Sequence, residues 1–177
     1  MISPKDDCSL CGLCKVRTNI VRPSGDLGSK VVLVGEGPGE NEDIQGKPFV
    51  GRAGKILDKA LVEAGVDRDR IMITNTVKCR PPQNRDPTAE EMEACRPFLI
   101  SELEGREMVV LLGRSAIKDL LGYDGPMNAI VNTIQEKDVD GIRIRFLPTY
   151  HPMACVYRKE ARQKLADAMS MVREIIS

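Results

Sequence analysis

The 177-residue sequence has no tryptophan, only three phenylalanines and three tyrosines, and a single histidine. Each ring is therefore a scarce residue whose position is informative. Charge of neither sign dominates, because 26 basic side chains balance 26 acidic ones. This excludes a protein that coats nucleic acid by bulk attraction, but leaves room for local basic patches. No apolar run approaches the ~20 residues of a membrane span, so no membrane partner is expected. The opening Met1-Ile2-Ser3-Pro4-Lys5-Asp6-Asp7 lacks a signal-peptide core. Repeats, low-complexity tracts and linkers are missing as well. One domain over residues 1–177 is expected, in the reducing cytoplasm.

Six cysteines are present against that one histidine. In a reducing compartment, grouped cysteines serve metal or redox chemistry more often than disulfides. Cys11-Gly12-Leu13-Cys14 is a C-x-x-C, and Cys79 and Cys95 flank a loop-helix segment. Two close thiolates plus two distant ones commonly build a four-thiolate site, for zinc or for an iron–sulfur cluster. Cys8-x-x-Cys11 has the same spacing, so the close pair can also register three residues earlier. Cys155 reads as a core or groove residue.

Apolar patterning alternates between strands and helices. Lys30 to Val34, Arg70 to Thr74 and Met108 to Leu112 read as strands. Ala53 to Ala64 carries a one-face stripe ended by Gly65, and Thr88 with Glu91 opens a helix to about Glu104. Ser115 to Leu121 reads as a short helix and Lys159 to Ile176 as a long amphipathic one. Ala129 to Ile134 and Ile142 to Leu147 read as a hairpin. The fold class this predicts is α/β, a three-layer αβα sandwich around a mainly parallel sheet. Ligand sites of such sheets lie where strands end. Polar loops follow Val34, Thr74 and Leu147, so these three are expected to converge. The first, Gly35-Glu36-Gly37-Pro38-Gly39 through Gly51, holds glycines, acids and the lone ring of Phe49. It lacks both the Gly-Lys-Ser/Thr ending of a P-loop and the G-x-G-x-x-G spacing of a dinucleotide fold.

Taken in order, several segments resemble the iron–sulfur (family four) uracil-DNA glycosylases. They are Cys11-x-x-Cys14 with Arg17; Gly35 to Gly39 with Glu42-Asp43; Gly46-Lys47-Pro48-Phe49-Val50-Gly51-x-Ala53-Gly54; Thr74-Asn75-x-x-Lys78-Cys79-Arg80-Pro81-Pro82-x-Asn84-Arg85; Cys95; and His151-Pro152. The resemblance implies a structural [4Fe–4S] cluster on Cys11, Cys14, Cys79 and Cys95, with zinc as the second candidate. It implies a monofunctional hydrolase of N-glycosyl bonds, acting in base excision repair on single- or double-stranded DNA. Uracil is flipped out and an abasic site is left. A monomer associated with the nucleoid is expected.

Residue chemistry assigns roles within that frame. The Asn75 amide can pair with uracil N3–H and O4 together, a pattern cytosine reverses. Phe49 is expected to stack on the base. His151 and the Gly37 N–H are donors for the charge that develops on O2. Glu36, Glu40, Glu42 and Asp43 are the carboxylates available to the sugar cation. Glu42 is favoured by family position, either there or as a gate against a C5 methyl, with Glu36 behind it. No Asp stands at Gly37, where other uracil glycosylases carry a catalytic one. Lys78, Arg80 and Arg85, and Arg158, Lys159, Arg162 and Lys164, form basic clusters suited to phosphates. Val156 stands near the place of the family's wedge leucine, with Met153 and Tyr157 as other candidates. Two rival readings keep the fold without the chemistry: a metal-stabilised nucleic-acid binder and a redox protein.

Overall fold

Runs such as Val31-Val32-Leu33-Val34 are apolar at every position, so they need cover on both faces. In the computed structural model, which describes residues 1–177, they become the centre of a six-stranded sheet. The strands are Ser24–Gly25 (β1), Val31–Gly35 (β2), Met72–Asn75 (β3), Met108–Leu112 (β4), Gln135–Val139 (β5) and Ile142–Thr149 (β6). The helices are Glu40–Gln45 (α1), Arg52–Ala64 (α2), Ala89–Leu103 (α3), Arg114–Leu121 (α4), Ala154–Tyr157 (α5) and Lys159–Ile176 (α6). Strand order is β1-β3-β2-β4-β6-β5; the four inner strands run parallel and both edge strands antiparallel. α6 packs against α2 and against β2 and β6, while α4 packs on β2 and β4. This is the expected α/β sandwich. No helix is long and apolar enough to cross a membrane.

The chain steps from β2 outward to β3, then back across β2 to β4. The crevice between β2 and β4 is therefore the switch point where a ligand site is expected. Most of the apolar core is one cluster of buried side chains between the layers; Leu13, Ile20 and Cys79 form a small satellite under the N-terminal segment.

Several elements differ from the sequence reading, which did not expect the short β1 and α5. The fifth strand lies at Gln135–Val139, not Ala129 to Ile134. Ile130 and Val131 are apolar because they plug the core from a turn, and Asn132 adopts a left-handed φ of 56° that ends any strand there. The true edge strand is mostly exposed and polar, so its pattern gave no signal. Within the glycine loop, Glu40–Gln45 is helical. Gly39 caps it, Glu42 returns to the Gly39 N–H, and three acids in the first turn favour the positive helix end.

Lys78, read from sequence as a phosphate contact, is instead only 1% exposed. Its Nζ donates to Glu102 Oε2 at 2.8 Å, Thr74 Oγ1 at 2.8 Å and the Asn75 carbonyl at 2.6 Å. The ammonium thus ties α3 to the end of β3. Lys78→Ala is expected to destabilise the fold by about 3–5 kcal/mol, because Glu102 would be left buried and unpaired. Urea unfolding of the variant against wild type checks this.

Candidate active site at the strand ends

The register puts Gly35 opposite Asn75 and Leu112 opposite Thr149, so the loops that follow open onto one edge. A cavity of about 350 Å³ lies there, bringing Glu36, Gly37, Phe49, Asn75 and His151 to one space. Its volume lies within the range of small-molecule sites.

Asn75 is 3% exposed, and its side-chain amide bonds to no protein group, while its backbone is fixed by β3 and by Lys78. The amide opens onto the cavity, where its acceptor and donors are free to pair with a ligand. The Gly37 N–H likewise meets no acceptor in the chain. Phe49 sits at a φ of +52°, outside the usual range for a side chain of its size. Arg68 holds it there by donating to the carbonyls of Phe49 (2.9 Å) and Pro48 (2.7 Å). The ring lies against Gly35: a methyl there would stand 2.5 Å from Phe49 Cζ and 2.6 Å from Asn75 Oδ1. Gly54 is needed too, since a Cβ would collide with the Phe49 carbonyl. Gly35, the first residue of the glycine motif, and Arg68, which neither motif nor periodicity indicated, thus set the position of Phe49.

His151 follows β6, and its ring centroid is 6.0 Å from that of Phe49. The Met153 N–H donates to its Nδ1 at 3.1 Å, so the ring proton sits on Nε2. Burial pushes its pKa below the ordinary histidine value. The imidazole is therefore neutral near pH 7, with one N–H free at Nε2.

The two carboxylates on the cavity wall differ. Glu42 Oε1 accepts from the Gly39 N–H (3.0 Å), and Oε2 from the N–H groups of Val50 (2.9 Å) and Gly51 (2.6 Å). It is the staple that folds the loop, and neither oxygen is left without a partner. Glu36 Oε2 accepts one hydrogen bond, from Ser115 Oγ at 2.6 Å. Burial, and then the nearby Asp86 carboxylate, raise the Glu36 pKa, while Ser115 opposes the rise. Glu40 is exposed, and Asp43 is buried as an acceptor for the Thr18 and Asn19 N–H groups.

Of the DNA-contact candidates, Arg85 borders the cavity but is forked onto Glu91 at 2.7 and 2.9 Å. Arg80 donates to Asn84 Oδ1 at 2.7 Å. Arg158 lies 5.6 Å from the Tyr150 ring centre as a cation–π pair. On α5, Val156 is 38% and Tyr157 80% exposed, the larger apolar face being the tyrosine's.

A second, closed depression is lined by Cys8, Cys11, Cys79 and Cys95, with Arg17 and Lys78 beside them. Cys14 is not part of this lining; that is the difference from the sequence reading. Leu13 is the inward residue of the 3₁₀ turn Gly12–Lys15, anchored in the satellite core, whereas Cys8 folds back through a turn onto Lys5. Burial raises the thiol pKa of Cys11 and Cys95 and pushes that of Cys79 up to about 11, while Arg17 donates to Cys79 Sγ at 3.6 Å. Desolvated thiols beside two cations suit a thiolate-bound group whose charge needs balancing. No three of these side chains close on a point as ligands of one metal ion would.

Parallel strand ends that bring an unpaired amide, an aromatic ring and free N–H donors to one cavity define an α/β protein with a site suited to a planar, polar ligand. The chain belongs to the uracil DNA glycosylase superfamily, whose model matches residues 22–173. It is 38% identical over 177 residues to a type-4 uracil-DNA glycosylase of Saccharolobus solfataricus, spanning 96% of this chain and 82% of that one. Identity to the type-4 enzyme of Archaeoglobus fulgidus is 37% over 174 residues (95% and 87%). To that of Thermotoga maritima it is 43% over 148 residues (82% and 76%).

Proposed function

We propose that the protein is a monofunctional uracil-DNA glycosylase of base excision repair, acting as a monomer on single- and double-stranded DNA at the nucleoid. Residues 1–177 act as one unit, with segment 8–17 closing the cysteine site. The observation that carries this reading is the unpaired Asn75 amide beside the free Gly37 N–H, Phe49 and the neutral His151. Flipped uracil stacks on Phe49 and pairs N3–H and O4 with the Asn75 amide. As the C1′–N1 bond breaks, its electron pair passes to the base and charge gathers on O2. The Gly37 N–H and His151 Nε2–H meet that charge. Glu36 faces the sugar cation and orients the water that adds to C1′, taking up the water's proton. Glu42 holds the loop rather than reacting. Val156 and Tyr157 fill the space the base leaves, and Arg80 and Arg158 reach phosphates, with Arg85 steadying the loop. Uracil-containing oligonucleotides that become alkali-labile, without a nick before alkali, support the reading; oligonucleotides that stay alkali-resistant sink it.

The Glu36 role has a pH signature. The active form is the carboxylate, so activity falls as pH drops through its pKa. Ser115→Ala removes the hydrogen bond that favours the anion, and the acid limb of kcat/KM is expected to move to higher pH. Asp86→Asn removes the like charge, and the limb is expected to move to lower pH. A limb unmoved by both variants assigns it to another group.

A [4Fe–4S] cluster is proposed on Cys8, Cys11, Cys79 and Cys95, in preference to the Cys11–Cys14 frame and to zinc. Supporting it is the shared lining of those four thiols, with the Arg17 and Lys78 cations beside them. When bound, the cluster crosslinks the N-terminal segment to the β3–α3 region. Cys8→Ser is expected to lose iron, sulfide and visible absorption, and Cys14→Ser to keep them. The reverse result restores the other frame.

A further inference from the structure

We propose that the groove between α2 and α6 is a further DNA-contact site, taking the phosphodiester backbone that flanks the flipped nucleotide. The inference rests on the uracil-DNA reading above. The groove holds about 410 Å³ and sets Arg52, Lys55, Lys59 and Arg162 around Ile56 and Val156, with no acid in its lining. Arg52, Lys55 and Lys59 stand at i, i+3 and i+7 of α2, hence on one helical face. At 1.5 Å per residue they span about 10 Å, the axial rise of about three nucleotides of one strand.

Several other cations of the chain are already paired with acids. Arg68 is paired with Asp58, Arg85 with Glu91, Arg96 with Asp119 and Asp140, and Arg143 with Glu136 and Asp138. Arg52, Lys55 and Arg162 have no acidic partner, and Lys59 has only a 3.9 Å contact to Glu63 with both ends exposed. The depression on the opposite flank of α2 mixes Asp58 and Asp69 with Lys47, Lys55 and Arg68, whereas the groove toward α6 is lined by cations alone among its charged side chains. The groove is also joined to the base cavity. Arg52 lines both, and Val156 leads to the exposed Tyr157. A backbone entering the cavity at Arg52 has a path onward along α2.

The test uses the full chain with the cysteine site loaded as purified, and a labelled 20-base-pair duplex holding one U·G pair. For Lys55→Ala/Lys59→Ala, Kd at low salt is expected to rise at least tenfold. The slope of log Kd against log salt is expected to shrink by about 2, since each lost phosphate contact removes about 0.9. An unchanged Tm shows that the fold survives. Lys118→Ala, an exposed lysine on α4, is expected to leave the slope alone. A double variant with wild-type slope and Kd overturns the proposal, as does an equal change in the Lys118 control. Uracil release is scored separately, so a wild type that binds duplex but releases no base fails the enzymatic reading and not this one.

Discussion

Replacing Asn75 by aspartate is expected to lower kcat/KM on uracil-DNA by about 10⁴, the scale seen when a buried hydrogen-bonding site meets a mismatched partner. The exchange is nearly isosteric, so β3, its register with β2 and the Lys78 contact to the Asn75 carbonyl stay in place. What changes is one donor. The amide Nδ2 that would pair with uracil O4 becomes an acceptor, and two oxygens then face each other in a site from which water is excluded. Duplex affinity, carried by phosphates, should move far less than the rate. Single-turnover excision and equilibrium binding, measured on one preparation, separate the two. Excision within tenfold of wild type removes Asn75 from base recognition.

His151→Ala is the second large effect. Loss of one donor to a developing oxyanion typically costs 10²–10³ in kcat, so a fall of about that size is expected with KM little altered. The tautomer refines this. Nδ1 is an acceptor, and burial holds the ring neutral. A cationic donor would lose activity as pH rises through the histidine pKa; a neutral one does not. The wild-type rate is therefore expected to stay level between pH 6 and 8 on the His151 side. A descending limb in that interval that disappears in His151→Ala would mean that the imidazolium is the active form.

The central strands were legible because each is apolar throughout, and with them the edge where the loops meet. Asn75 and His151 stood out as a polar residue at a strand end and as the lone histidine. Other features depend on which way a side chain turns. C-x-x-C recurs at Cys8 and at Cys11, and spacing does not say which pair faces inward; Leu13, buried in the satellite core, fixes that. Glu42 was favoured by family position, for the sugar cation or as a gate against a C5 methyl; that three backbone N–H groups donate to it is visible only in the folded loop. Lys78 sits among arginines in sequence but pairs with Glu102, 24 positions on, which no local pattern reveals. The strand at Gln135–Val139 was masked because edge strands are polar, while the apolar run before it fills the core from a turn.

The most direct measurement is the mass balance of one turnover on a duplex holding a single U·G pair. The account predicts one equivalent of free uracil, one intact abasic strand, and no uracil from His151→Ala on the same timescale. Uracil retained in the strand, or a strand broken before alkali is added, would contradict it.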